Sequence, residues 1–93
     1  MIVEVTAEDI EKGVPCETDR CPIALAILRK PGVRDVMVNN EKIIVDRVSS
    51  RAYYIVPRRV SDFVDQFDYG KGPEPIKFDA KQVRRHRQWM VFT

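Results

Sequence analysis

The sequence predicts a two-layer α+β domain, in which an antiparallel sheet of four or five strands carries two main helices on one face. Two observations support this prediction. The continuous apolar run from Cys21 to Leu28 is long enough for two turns of a helix that is covered on both sides. Short segments rich in β-branched residues then follow one another between Val33 and Val56, and connections this short join antiparallel strands.

The N-terminus predicts a strand followed by a short helix. Ile2–Val5 is rich in β-branched residues and fits a first strand. The next four residues, Thr6–Asp9, match a capping box, which predicts a helix from Ala7 to Lys12. We expect Ile10 to face inward, and Gly13 to end this helix in the left-handed conformation.

The apolar run predicts the first main helix. Asp19 or Cys21 is its expected N-cap, and Pro22 suits the first helical position, where a missing N–H costs nothing. Positive charge suits the last turn of a helix, so we expect the helix to include Lys30 and to stop at Pro31-Gly32.

After this break the pattern predicts an antiparallel meander. Asn39-Asn40 separates the first two strands, and since both residues tolerate positive φ we expect a tight hairpin turn there. Ser49–Arg51 separates the second strand from the third. The three β-rich segments are 33–38, 43–48 and 53–56.

The second main helix is predicted over Arg58–Tyr69. Its apolar residues recur at i, i+3, i+4 and i+7, and Gly70 supplies a stop. These apolar residues are Val60, Phe63, Val64 and Phe67. A connector rich in glycine and proline leads to a final strand at Ile76–Phe78, and Asp79 is the expected cap of a terminal helix that begins at Ala80.

Charge distinguishes the C-terminal end from the rest of the chain. We divide the chain into one α+β domain, residues 1–79, and a basic and apolar extension, residues 80–93. Residues 81–93 carry four basic and no acidic side chains, whereas residues 41–80 carry seven of each. This asymmetry is the electrostatic feature that points to a partner.

Composition excludes several classes of protein. The composition, 44% hydrophobic and 32% charged, is typical of a folded globular domain. A length of 93 residues leaves no room for a separate catalytic domain. No apolar run is long enough to span a membrane, and the N-terminus lacks the features of a signal peptide. We therefore expect a cytoplasmic protein without membrane contact, whose two cysteines remain thiols.

Side chains capable of catalysis or metal binding are few. Cys16 and Cys21 have a spacing seen in metal knuckles, but His86 is the one imidazole and a zinc site lacks ligands. A helix N-terminus would lower the pKa of the Cys21 thiol. We expect Cys21 to be buried and to behave as a small apolar residue. Asp62, Asp65 and Asp68 stand at helical spacing, which fits a solvated face better than a cation site. We predict no catalytic residue, no metal and no cofactor.

The order of these elements resembles a group of small uncharacterised proteins from bacteriophages of actinobacteria and from their hosts. The resemblance covers roughly residues 2–79 and implies a phage-derived accessory protein, without implying a mechanism. The segments that carry it are Thr6–Gly13, Cys21–Ala26, Ile55–Pro57, Val60–Gly70 and Pro75–Phe78.

These observations favour a small non-enzymatic interaction protein that binds a macromolecule through a sheet face and the basic extension. A protein partner is expected. The alternative is a nucleic-acid-binding protein, because clustered arginines neutralise phosphates and an aromatic ring stacks on bases. The basic extension could instead be a structural tail that docks Trp89, Val91 and Phe92 on the domain and leaves the arginines in solvent. The isoelectric point of about 8.7 is lower than in dedicated nucleic-acid binders. The candidate contacts are Lys81, Arg84, Arg85, Arg87 and Trp89, and a possible homodimer would use Tyr53, Tyr54 and Phe92.

Overall fold

The computed structural model describes residues 1–83. Their strands form two antiparallel sheets. The first has four strands in the order β2-β3-β4-β6, and the second pairs β1 with β5. In chain order the elements are β1 (Ile2–Val5), α1 (Ala7–Lys12), α2 (Pro22–Leu28), β2 (Asp35–Val38), β3 (Lys42–Asp46), β4 (Arg51–Ile55), α3 (Arg58–Asp68), β5 (Ile76–Asp79) and β6 (Lys81–Gln82).

The predicted α+β class is confirmed, and the strands divide between two sheets where the sequence predicted one. The meander β2-β3-β4 forms as expected, with Val36 opposite Val45 and Ile43 opposite Tyr54. The first strand pairs instead with β5, with Val3 opposite Phe78. Local patterns show that a segment is a strand but do not identify a partner more than seventy positions away.

Alternation along the meander gives the four-stranded sheet one buried face, which we call the inner face. Val36 and Val38 on β2 are buried, as are Ile43 and Val45 on β3. The residues between them point to the opposite side of the sheet, because successive side chains of a strand alternate. We call that side the outer face.

Both main helices contribute to the same core as the inner face. On α2 the buried side chains lie all around the helix, as its continuous apolar sequence predicted: Pro22, Ile23, Ala24, Ala26 and Ile27. On α3 the predicted stripe is buried, and Val60, Phe63 and Val64 join the core cluster. The helices therefore lie on one side of the sheet.

The first helix has the predicted bounds and capping box but ends differently. Thr6 Oγ1 accepts a hydrogen bond from the Asp9 N–H, and Asp9 Oδ2 accepts one from the Thr6 N–H. Gly13 is in an extended conformation, with φ of −66°, so the predicted left-handed ending is wrong. A Cβ at Gly13 would lie 2.7 Å from Cδ of Pro22, so this glycine is needed for space.

The second helix begins at Pro22, and Cys21 takes the N-cap position without a side-chain hydrogen bond. It ends at Leu28, with Arg29 as its C-cap, two residues before the predicted end at Lys30. Ile10, expected to face this core, is half-buried and packs at its edge.

The turn between β2 and β3 is stabilised by a side chain. Asn39 Oδ1 accepts hydrogen bonds from the backbone N–H of Glu41 at 2.8 Å and of Lys42 at 2.9 Å. In residues 1–83 the non-glycine residue with positive φ is Cys16, so the positive φ expected at Asn39 and Asn40 does not occur. A turn closed by the asparagine side chain does not need it.

The residues after β5 continue the fold. Ala80 is buried, and its N–H donates to the carbonyl of Met1 at 2.7 Å. Lys81-Gln82 then forms β6, so the helix predicted from Ala80 is wrong there. The described fold thus extends past the predicted domain end at residue 79, as far as Val83, whose N–H donates to the carbonyl of Tyr53. Within residues 1–83, no helix is both long enough and apolar enough to cross a membrane.

Candidate interaction surface

A row of apolar side chains crosses the outer face of the four-stranded sheet. Met37 is opposite Ile44, and Ile44 is opposite Tyr53. The N–H of Val83, the residue after β6, donates to the carbonyl of Tyr53 and continues the register of β4 and β6. We call Met37, Ile44, Tyr53 and Val83 the apolar row. Met37 is 49% exposed, and the other three are half-buried.

Charged residues border the apolar row on both sides. On one side Asp35 is opposite Asp46, and Asp46 is opposite Arg51; we call these three the carboxylate row. On the other side Ile55 lies between Lys42 and Lys81, and we call these three the lysine row. An apolar centre with a charged border is the composition of a protein interface.

The carboxylate row contains an ion pair. Arg51 donates from Nε to Asp46 Oδ1 at 2.6 Å and from a terminal nitrogen to Asp46 Oδ2 at 3.1 Å. These hydrogen bonds, with the charge of the guanidinium, lower the pKa of Asp46. A cleft of about 260 Å³ opens beside this pair and is lined by Asp19, Asp35, Val36, Met37, Ile44, Asp46 and Arg51.

The lysine row is joined to the N-terminus through Asp79. Lys81 Nζ lies 2.9 Å from Asp79 Oδ2, and the terminal amine of Met1 lies 3.0 Å from Asp79 Oδ1. Both cations lower the pKa of Asp79, Lys81 more strongly than the terminal amine. Lys81 was predicted as a contact, and it is exposed on β6, the edge strand of the sheet.

The structure separates the two predicted tyrosine contacts. Tyr53 lies on the outer face, whereas Tyr54 is 6% exposed and belongs to the core, so Tyr54 is wrong as a dimer contact. Neighbouring strand residues point to opposite faces, and the register with Ile43 places Tyr54 inward. The other predicted contacts lie outside the described residues: Arg84, Arg85, Arg87, Trp89 and Phe92.

Four apolar outer-face residues were missed by the sequence-based prediction. Met37, Ile44 and Val83 share the apolar row with Tyr53, and Ile55 is 53% exposed in the lysine row. The period-two alternation around Tyr53 carries the signal that would have identified them.

The two thiols lie near one another but in different environments. Cys16 is exposed and Cys21 is buried, and both line a cleft of about 100 Å³. Burial raises the pKa of the Cys21 thiol, and the charge of Asp68 adds to this effect. The lowered pKa expected from the helix N-terminus is therefore wrong, because desolvation of the thiolate outweighs the backbone N–H groups that face it.

Two of the α3 aspartates attach loops to the helix. Asp65 Oδ1 accepts from Asn40 Nδ2 at 2.6 Å, and Asp68 Oδ1 accepts from the backbone N–H of Cys16 at 2.9 Å. Over residues 1–83 no group of three or more Cys, His, Asp or Glu side chains is arranged to hold a metal ion. The hydrogen bonds give Asp65 and Asp68 a structural role.

Asp9 is a buried charge that sequence reasoning assigned to the capping box alone. It is 4% exposed, and its Oδ1 also accepts a hydrogen bond from the guanidinium of Arg29, which bonds the carbonyl of Glu4 as well. These contacts join α1, the end of α2 and β1. Burial of a paired carboxylate between elements indicates a structural role.

Comparisons of the chain with family models, with curated proteins and with solved structures gave no match. The resemblance to the actinobacterial phage proteins stays a prediction.

Proposed function

We propose that this chain is a small non-enzymatic interaction protein that binds a protein partner in the cytoplasm through the outer face and the basic segment that follows it. The observation that carries the proposal is the apolar row, which crosses β2, β3 and β4 and reaches Val83, the residue after β6. The resemblance to phage proteins adds a phage-derived accessory origin to this proposal.

The position of the helices supports the outer face as a contact surface. α2 and α3 pack into the core on the inner side, and apolar side chains left on the other side are exposed or half-buried. Contiguous exposed apolar surface with a polar border is uncommon on isolated proteins and is typical of binding sites. Covering Met37 and Ile55 would remove apolar area from water, which favours association.

The position of Val83 connects this surface to the predicted contacts. Val83 belongs to the apolar row, and Arg84, Arg85 and Arg87 follow it directly in the sequence. Arginine and Trp89 are residue types that dominate binding energy at protein interfaces. A partner that covers the lysine row and this segment would present acidic groups to Lys81 and the arginines.

Affinity capture with matched variants tests the proposal. The full chain, Ile55→Asp and Val48→Asp are immobilised, and each is exposed to nuclease-treated lysate of the source cells. Ile55 lies on the outer face, whereas Val48 is an exposed aliphatic residue in the loop after β3. We expect a protein that is retained by the full chain and by Val48→Asp, and lost with Ile55→Asp.

A second arm of this experiment separates the nucleic-acid alternative. This arm uses a chain truncated after Val83. The truncation must not begin earlier, because removing Ala80 to Val83 would also remove β6 and a buried residue. Loss of all captured material on nuclease treatment, with binding that weakens steeply as salt rises and disappears in the 1–83 fragment, would favour nucleic acid. Equal capture by Ile55→Asp and the full chain would contradict the outer face as the contact surface.

A further inference from the structure

We propose that the occupant of the outer face is a second copy of this chain, related by a two-fold axis that runs along the apolar row. This inference rests on the proposed function, which assigns the outer face as a contact surface, and it names what covers that face. The argument comes from the order of charges along the central strand β3.

Three outer-face residues of β3 run from basic through apolar to acidic. Lys42, Ile44 and Asp46 point to the same side because they are two residues apart. Ile44 lies in the middle of this series, with a strand on either side, since β3 is between β2 and β4. The face is therefore charged with opposite signs on the two sides of its apolar centre.

A two-fold axis along the apolar row makes this pattern self-complementary. It places the apolar rows of the two copies against each other and the lysine row of each copy over the carboxylate row of the other. Lys42 of one protomer then faces Asp46 of its partner, twice in the dimer. Two sheets packed face to face lie about 10 Å apart, which is a distance that side chains of this length span.

A two-fold axis along β3 is disfavoured by charge. It would place Lys42 over Lys42 and Asp46 over Asp46 of the partner. Like charges brought together at an interface cost free energy and suppress that arrangement. The charges of β3 therefore favour the axis along the apolar row, and the apolar row supplies the burial.

The size of the outer face limits the expected affinity of the dimer. Three rows on four strands cover about 15 Å by about 15 Å at ordinary strand spacings, which is smaller than the roughly 800 Å² per partner of a standard stable interface. We therefore expect a dimer that dissociates in the micromolar range. The axis also brings the two copies of Val83 to one edge of the interface.

Charge variants test the geometry. Lys42→Glu places a carboxylate opposite Asp46 of the partner, and Asp46→Lys places an ammonium opposite Lys42. Each variant alone should dimerise at least roughly tenfold more weakly, which corresponds to about 1.4 kcal/mol. A mixture of the two variants restores two opposite-charge pairs, so the mixed dimer should form about as strongly as that of the unchanged chain.

Sedimentation equilibrium over a wide concentration range measures all of these species. The unchanged chain should move from 10.8 kDa toward twice that mass as concentration rises. Circular dichroism checks that both variants are folded, and the mass of the unchanged chain tests the dimer even if one variant does not fold.

Several results would overturn the dimer. A monomer mass at all concentrations would do so, as would a mixture that associates no more strongly than either variant alone. A monomer that becomes a dimer when the chain is cut after Val83 would show that the C-terminal segment of the same chain covers the face. In the first two cases loss of partner capture by Ile55→Asp would still support the proposed function, so the two proposals fail separately.

Discussion

The two faces of the four-stranded sheet differ in burial although they are built from neighbouring residues. Ile43 and Ile44 are adjacent and identical in chemistry, yet Ile43 is fully buried against the helices and Ile44 lies in the apolar row of the outer face. Burial of a large aliphatic side chain stabilises the fold by about 1.5–3 kcal/mol. Apolar residues of the inner face therefore contribute to folding, whereas those of the outer face stay in contact with water.

The largest expected effect comes from truncating each isoleucine in turn. Ile43→Ala should lower the free energy of unfolding by about 3 kcal/mol, because it removes buried methyl groups and leaves a cavity in the core. Ile44→Ala should cost less than about 1 kcal/mol, since its side chain keeps contact with water. Urea unfolding at a concentration where the chain is monomeric measures both, and similar losses for the two variants would contradict the distinction between the faces.

A second test compares the stability lost when each of two ion pairs is broken: Asp9 with Arg29, and Asp46 with Arg51 on the outer face. Asp9→Ala should cost about 2 kcal/mol, because it removes the capping box and leaves Arg29 without its buried partner. Asp46→Ala removes the pair with Arg51 on the outer face, where water screens the charges, and should have a smaller effect. Thermal unfolding of the two variants measures the difference; a larger loss for Asp46→Ala would show that the outer face is important for folding.

A third test concerns how tightly the helical layer is packed. Gly13→Ala should cost about 1–2 kcal/mol, because the new Cβ would overlap the ring of Pro22, which is buried. Gly72→Ala is the matched control, since Gly72 has φ of +60° but open space around its Cα. Gly72→Ala should lower the free energy of unfolding by about 1 kcal/mol or less, and the loss should come only from the positive φ that alanine must adopt there. A neutral Gly13→Ala would indicate that α2 moves to accommodate the methyl group.

The smallest expected effect is the pH dependence at the sheet surface. Asp46 and Asp79 have lowered pKa values in the folded chain, so their pairs add stability above the unfolded-state pKa of about 3.9. This contribution is lost as pH falls through the lower folded-state pKa values. Urea midpoints measured from about pH 6 downward should fall less steeply in Asp46→Asn and Asp79→Asn; unchanged slopes would mean that these pairs do not contribute.

Much of the fold could be predicted because its signals are local. The capping box of Thr6 and Asp9 involves residues three positions apart, and the stripe of α3 repeats within one helix. The meander follows from short connections that leave antiparallel pairing as the available arrangement. Each of these features depends on side chains within a few residues of one another.

The candidate surface could be predicted only in part. Tyr53 and Lys81 were identified from their residue types, and both lie on the outer face. Tyr54 was assigned to the same surface because residue type does not show which of two adjacent strand residues faces the core. Pairing with Ile43 decides this, and the pairing becomes known once the sheet is formed.

By itself the sequence determined the α+β class, the apolar run of α2, the meander and the polar and apolar sides of α3, since these depend on short-range periodicity. Tertiary structure alone decided the pairing of β1 with β5, the return of β6 to β4, and the burial of Asp9 against Arg29. It also decided that Lys42, Ile44 and Asp46 lie on one exposed face, with Ile44 at its centre and the two charged residues at its border. These features join segments far apart in the chain, and packing selects such partners after the local elements have formed.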